Sequence, residues 1–189
     1  MSQLSVDSVD KQSGSTLTLG GAGTTVQPHA SATVSGFGKV LQVVQTHKTD
    51  TSSTTSTSFT DVSGFSANIT PASTSNKILV LVTISGMGEN AVSSMFFRLD
   101  RNGSVVGVGD AVGNRKQISG ASVYISNNTA MGSTAFNYLD SPSTTSLLTY
   151  KIQFSANAGT VYVNRTFTDS DAATFPRGTS SITLMEIGA

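Results

Sequence analysis

Apolar residues fall at every second position in several stretches of this chain. In Leu147–Ser155 the apolar residues Leu148, Tyr150, Ile152 and Phe154 alternate with polar ones, as in a strand with one buried face. Lys77–Ile84 is apolar at nearly every position and predicts a central strand that is covered on both faces. Leu81 is therefore expected to be buried, and an aspartate there is expected to prevent folding.

About nine or ten candidate strands are separated by turn-forming residues roughly every ten positions, a spacing typical of a sandwich or barrel. Asn102-Gly103 predicts a type I′ hairpin turn, Thr49–Ser58 predicts a polar loop, and no stretch keeps a helical period. The prediction is an all-β protein with an antiparallel β-sandwich, a jelly roll, over residues 37–189. The other candidate strands are Lys39–Gln45, two short strands around Gly64 within Phe59–Ile69, the arms of Met95–Val106, Lys116–Ser126, Thr134–Asp140, Val161–Arg165 and Ser181–Ile187.

Residues 1–36 form a separate, extended N-terminal segment. Its apolar positions are isolated, although Leu4/Val6 and Leu17/Leu19 keep the two-residue period of short strands. A segment with so few apolar residues cannot bury a core alone. It is either disordered or packed on other subunits.

Composition excludes several classes of site. The 189 residues have a formal net charge of zero, only 12% charged residues, and neither cysteine nor tryptophan. Disulfides, thiolate metal sites and cysteine nucleophiles are therefore excluded, and nothing indicates a nucleic-acid surface. About three residues in ten are Ser or Thr, which favours strands and turns. The start of the chain predicts no secretory signal, and no apolar run predicts membrane insertion.

The few groups that could carry chemistry do not form a recognised motif. His29 and His47 lack an accompanying nucleophile motif, so two solvated histidines are the preferred interpretation. Asp169 and Asp171 could serve a calcium loop or a glycosidase pair, but an acidic loop between strands is favoured. The glycines of the stretch GVGDAVG lack the spacing and the following Lys-Ser/Thr of a phosphate loop; they are Gly107, Gly109 and Gly113.

Two further features carry less information. Asn-x-Ser/Thr triplets at Asn68, Asn102, Asn127 and Asn164 are expected by chance in a chain so rich in Ser and Thr. Most aromatic residues lie in candidate strands and are expected in the core. Phe167 and Phe175 flank the loop TFTDSDAATFPRG and are the best candidates for exposed contacts, although a core-capping role is favoured.

The opening LSVDSVDKQSGSTLTLGGAGTTVQP resembles the N-terminal segments of tail-fibre-like virion proteins of marine tailed phages. The remainder, from GFGKVLQVVQTHKTD through DSPSTTSLLTYKIQFSANAGTVYVNR to SSITLMEIGA, is similar to the β-sandwich domains that follow in the same proteins. The resemblance covers nearly the whole chain.

The resemblance implies a non-enzymatic structural protein of the virion, a homotrimer whose residues 1–36 dock on other virion proteins of the tail or capsid. It implies a C-terminal jelly roll like that of the C1q and tumour-necrosis-factor fold, presented outward toward a host cell-surface glycan or protein. It brings no catalytic, cofactor-binding or metal-binding residue. A long tail fibre is disfavoured because the chain lacks a shaft. A short fibre or appendage is the leading prediction, a capsid decoration protein is the alternative, and a polysaccharide depolymerase is the least favoured.

Overall fold

The computed structural model describes residues 39–88, 94–122 and 129–188, and this part of the chain contains eleven β-strands and no helix. The chain divides into two units, Met1–Phe37 and Gly38–Ala189. The predicted docking segment, residues 1–36, and His29 with it lie outside the described residues. The strands are β1 Val40–Lys48, β2 Ser52–Thr54, β3 Thr60–Ile69, β4 Lys77–Gly88, β5 Met95–Arg101, β6 Ser104–Val106, β7 Gly120–Ser122, β8 Gly132–Asp140, β9 Leu148–Ala156, β10 Val161–Val163 and β11 Ser180–Ile187.

The strands form two antiparallel sheets that pack face to face. In sheet A the order is β1-β11-β4-β8, and β10 with its partner β2 continues along the far end of β4. In sheet B the order is β3-β9-β5, and both β6 and β7 pair with the other edge of β5. With β6 and β7 taken as one edge strand and β2 and β10 set aside, this is the eight-stranded order of a jelly roll. The predicted all-β sandwich is confirmed.

The core lies between the inner faces of the two sheets. Sheet A contributes alternate residues of β4 and β11, and sheet B contributes alternate residues of β5 and β9, because successive side chains of a strand point to opposite faces. The predicted inward set of β9 is confirmed, with Leu148, Tyr150, Ile152 and Phe154 all buried. Across from it lie Ile78, Val80, Val82, Ile84, Ile182 and Leu184.

The expectation for β4 is half right. This strand is central, with β11 and β10 on one edge and β8 on the other. Within the described residues, however, only its inner face is covered, by sheet B. Leu81 points outward and 38% of it is exposed, so the prediction that it is buried was wrong for the single chain.

Local features follow the turn chemistry. Asn102 and Gly103 have φ values of 49° and 86°, which confirms the type I′ turn between β5 and β6. Phe59–Ile69 contains one strand rather than two, and its pairing with β9 shifts between Asp61 and Ser66, around Gly64 at φ 68°. The predicted loop Thr49–Ser58 contains β2, and of the predicted strand Lys116–Ser126 only β7 forms among the described residues.

Candidate assembly surface

The outer face of sheet A carries a row of apolar side chains that crosses four strands. Strand register aligns one residue from each of β1, β11, β4 and β8, in the order Val43, Met185, Leu79 and Leu139. The two ends of the row are the most open, with Val43 57% and Leu139 48% exposed. We call the outer face of sheet A around this row the apolar face.

A second row lies beside the first and contains a shallow depression. Leu81 is its apolar member, and Gln45 Nε2 donates to Thr183 Oγ1 at 2.8 Å in the same row. The depression has a volume of about 370 Å³ and is lined by Leu81, Thr83, Ala135, Asn137, Ser181 and Thr183. Small side chains and hydroxyls thus surround one exposed leucine, which leaves room for a side chain of a partner.

The apolar face is wider near the start of β1, where the pairing of β1 with β11 is irregular. The register with β11 shifts between Val40 and Gln42, so that both Val40 and Leu41 are exposed, at 49% and 39%. A groove of about 460 Å³ runs here between Leu139 and Ile187, with Ser75, Lys77 and Gly188 completing its walls. The apolar face therefore continues from the row to the start of β1.

The two outer faces of the sandwich differ in charge. In sheet B, Lys151 Nζ lies 2.8 Å from Asp61 Oδ2 and 3.9 Å from Asp100 Oδ1, and Arg98 Nε donates to Gln153 Oε1 at 2.7 Å. The hydrogen bond from Lys151 lowers the pKa of Asp61 and, reciprocally, raises that of Lys151. On β1, β11, β4 and β8, the ionisable side chains at outward positions of the described residues are His47 and Lys77, near the ends of their strands. The outer face of sheet B thus carries charged side chains suited to contact with solvent, whereas the apolar face carries few.

Aromatic residues on the outer face of sheet B are covered by cations. The Arg98 guanidinium lies 4.2 Å from the centre of the Phe59 ring, and Lys116 Nζ lies 5.2 Å from that of Phe96. Lys116 also donates to the carbonyl of Thr57 and, at 3.2 Å, to the hydroxyl of Ser155. Burial lowers the pKa of Lys116. These contacts hold the loop before β7 onto the sheet and cover the two aromatic rings.

A polar cluster connects the two sheets. Tyr150 donates its hydroxyl hydrogen to Asp140 Oδ2 at 2.6 Å, and Arg101 NH1 contacts both carboxylate oxygens at 2.8 and 2.6 Å. Burial, reinforced by the bond to Asp140, raises the pKa of Tyr150, so the phenol stays protonated. The Tyr150 hydroxyl and both Asp140 oxygens are hydrogen-bonded within this cluster, which favours a structural role.

Glu186 occupies a second buried polar cluster, at the end of β11. Its side chain accepts hydrogen bonds from the side chains of Gln42 (2.5 Å) and Asn76 (2.6 Å) and from the backbone N–H of Ala72 (2.7 Å). Burial alone would raise the pKa of Glu186, but these three donors lower it below its ordinary value. The carboxylate thereby ties the β3–β4 connection to sheet A.

The residues that the sequence singled out as possible chemistry lie on different elements. His47 is exposed on β1, where it pairs with Ser181 of β11, and Asp169 and Asp171 lie in the loop between β10 and β11, as predicted for an acidic loop. Gly107, Gly109 and Gly113 lie in the β6–β7 connection with no helix behind them among the described residues, so no phosphate loop forms there.

Two other predictions concern accessibility. Asn164 is fully buried: its amide group donates to the carbonyls of Lys48 and Asp50 and accepts from the Ser180 hydroxyl, so its triplet is closed to a glycosyltransferase. Asn127 lies outside the described residues, and Asn68 and Asn102 are exposed. Phe167 and Phe175 are both half-buried. The Phe167 ring packs 6.1 Å from that of Tyr162, an outward residue of β10.

Sequence reasoning missed both polar clusters, because their members come from distant strands. The apolar face, by contrast, was indicated by the sequence of β4, where Leu79 and Leu81 interleave with the core residues Val80 and Val82 and predict a strand covered on both faces.

Within residues 39–88, 94–122 and 129–188 no group of three or more His, Asp or Glu side chains could hold a metal ion. The same ranges contain no helix of the length and apolarity needed to cross a bilayer. Comparison of the chain with protein-family models and with curated proteins found no match.

Proposed function

We propose that this chain is a non-enzymatic structural subunit of a phage virion, which assembles with copies of itself through the apolar face. The observation that carries the proposal is the row of four apolar side chains across sheet A, opposite a charged outer face on sheet B. Monomeric proteins rarely expose a contiguous apolar strip of this kind, and such strips mark interaction sites.

A second copy of the chain is the occupant that the surface favours. The strip contains no carboxylate and only peripheral cations, so two copies can approach without burying unpaired charge. The depression beside Leu81 is a recess, and the exposed side chains of Val43 and Leu139 project from the same surface. One copy can therefore insert a side chain into the recess of another. A homo-oligomer that buries this strip also supplies stability that a chain without cysteine cannot draw from disulfides.

Three parts of the proposal rest on the resemblance of the sequence to tail-fibre-like virion proteins. They are the location in a virion, the trimeric state and the docking role of residues 1–36. The jelly-roll order of the two sheets agrees with the domain that this resemblance implies. In the proposed arrangement residues 1–36 bind other virion proteins, and the sandwich faces outward for attachment to a host. A capsid decoration protein would use the same apolar face and differ in its place on the particle.

Native mass measurement tests the assembly. The full chain is expected to be a trimer at micromolar concentration, and Val43→Asp combined with Leu139→Asp is expected to give a folded monomer. Asn68→Asp, on the outer face of sheet B, adds a negative charge elsewhere and should leave the trimer intact. A monomeric wild-type chain would overturn the assembly, whereas a dimer would contradict only the resemblance.

Cryo-electron microscopy of the virion with a labelled antibody against the sandwich tests the location. Label at the tail supports the appendage, label over the head supports decoration, and particles without label overturn the proposed place in the virion.

A further inference from the structure

The loop Arg165–Arg177, between β10 and β11, is braced from within and projects an exposed tip. Its two ends meet in an antiparallel bridge between Arg165 and Arg177. Asp169 lies between them, with its Oδ2 atom 2.7 Å from Arg177 NH2 and 3.5 Å from Arg165 NH1. The Arg165 guanidinium also stacks 4.4 Å over the Tyr162 ring and donates to the carbonyl of Phe167 at 2.6 Å.

The tip of this braced loop carries a pocket of about 330 Å³ that is open to solvent, near the lower end of the range of small-ligand sites. The wall combines one aromatic ring, two carboxylates, one guanidinium and one hydroxyl, and its residues are Asp169, Ser170, Asp171, Ala172, Phe175 and Arg177. Asp171 is exposed, and no side chain of the described residues pairs with its carboxylate. Two features that the sequence presented separately, the acidic pair and Phe175, thus share one pocket.

The charges of the pocket select against ionic ligands. The negative charge of Asp169 is balanced by the two arginines beside it, so a divalent cation would have to displace them. An anionic ligand attracted to Arg177 would meet the free carboxylate of Asp171. The lining instead suits a neutral ligand with several hydroxyl groups: the carboxylates accept from hydroxyls, the guanidinium donates to them, and the half-buried Phe175 ring offers an apolar surface.

We propose that this pocket binds a neutral pyranose ring of a host cell-surface glycan. Asp171 and Asp169 accept hydrogen bonds from the ring hydroxyls, Arg177 donates to a hydroxyl or ring oxygen, and the apolar face of the sugar lies against Phe175. The role in attachment rests on the proposed function, but the binding itself is a property of this loop alone.

Amide NMR of the isotope-labelled full chain tests the proposal with methyl α-mannopyranoside, methyl β-galactopyranoside and methyl β-glucopyranoside. A ligand of this size is expected to bind with a dissociation constant on the order of 1 mM. At least one glycoside should cause saturable shifts confined to residues 165–178. Phe175→Ala and Asp171→Ala should each weaken binding by about tenfold or more. Asp110→Ala, an exposed carboxylate in the β6–β7 connection, should not.

Glucuronate and calcium chloride serve as charged probes in the same titration. Saturable binding of either one in this loop without a neutral glycoside would overturn the proposal. So would the absence of saturable shifts for all three glycosides up to about 50 mM, roughly fifty times the expected constant. Asp171 is exposed, so Asp171→Ala remains informative if Phe175→Ala fails to fold. If the protein is monomeric and binds sugar, the proposed assembly is refuted and the proposed sugar site stands. If the protein is a trimer and binds no sugar, the sugar site is refuted and the assembly stands.

Discussion

The hydroxyl of Tyr150 lies 2.6 Å from Oδ2 of Asp140 and joins the two sheets of the sandwich through the core. Tyr150 belongs to β9 of sheet B and Asp140 ends β8 of sheet A, and both are buried. Arg101 of β5 supplies the balancing charge from the partly exposed side. A carboxylate can remain at this depth because its oxygens are hydrogen-bonded and its charge is paired.

Tyr150→Phe is expected to destabilise the protein by about 1–3 kcal/mol, because it leaves a buried carboxylate oxygen short of a donor. The measurement is urea denaturation at a fixed protein concentration. Tyr138→Phe is the matched control, since no described residue hydrogen-bonds the Tyr138 hydroxyl. Equal stabilities for the two variants would show that the bond between Tyr150 and Asp140 contributes nothing.

Because of Glu186, the free energy of unfolding is expected to decrease as the pH is lowered through the acidic range. Its folded pKa is lower than its ordinary value of 4.5, so its contribution is present above about pH 4.5 and is lost as pH falls through the folded pKa. The pKa values of Asp50 and Asp61 are also lowered, chiefly by Lys48 and Lys151, so the wild type loses stability from several groups in this window.

The Glu186 contribution is isolated by Glu186→Gln. This variant should be less stable at neutral pH, and the difference from wild type should shrink as pH falls below about 4.5. Thermal unfolding measured at several pH values follows this difference. A constant difference at all pH values would assign the loss to packing rather than to the ionised carboxylate.

How far the sequence predicts this fold depends on how local each signal is. Alternation in Leu147–Ser155 is a property of one strand, and the predicted inward residues of β9 are the buried ones. Strand β2 has no apolar signal in Ser52–Thr54 and forms because β10 supplies its hydrogen-bonding partner. The bonds of Glu186 to Gln42 and Ala72 span more than a hundred residues, so only the folded topology brings them together.

The apolar face illustrates the limit of pattern reasoning on a single strand. Leu79 and Leu81 predict that the outer face of β4 is apolar, but the pattern cannot say whether this chain or another molecule covers it. Within the described residues the sandwich leaves that face open, and the strand register aligns it with Val43 and Leu139 from two other strands.

The neighbours Val80 and Leu81 separate folding from assembly, because they point to opposite faces of β4. Val80 has no exposed surface, so Val80→Asp buries an unpaired charge at a cost of several kcal/mol and should abolish soluble folding. Leu81→Asp keeps its charge in solvent within the single chain. It should fold with an unchanged circular dichroism spectrum and lose self-association in native mass measurement. If Leu81→Asp were insoluble as Val80→Asp is expected to be, the apolar face would be part of the folding core and not of an interface.

Removal of residues 1–36 tests where the chain attaches to the particle. Strands and core of the sandwich come from the unit Gly38–Ala189, so a chain that starts at Phe37 should fold with the same β-rich circular dichroism spectrum. The removed segment has too few apolar residues to fold alone yet keeps strand periodicity, so a partner must complete it. The shortened chain should therefore be absent from purified virions when expressed in infected cells. Val43→Asp with Leu139→Asp serves as the comparison, because it damages self-association while keeping the docking segment. Incorporation of the shortened chain at the normal level would show that the particle is bound by the sandwich, and the apolar face would then be the first surface to test for that contact.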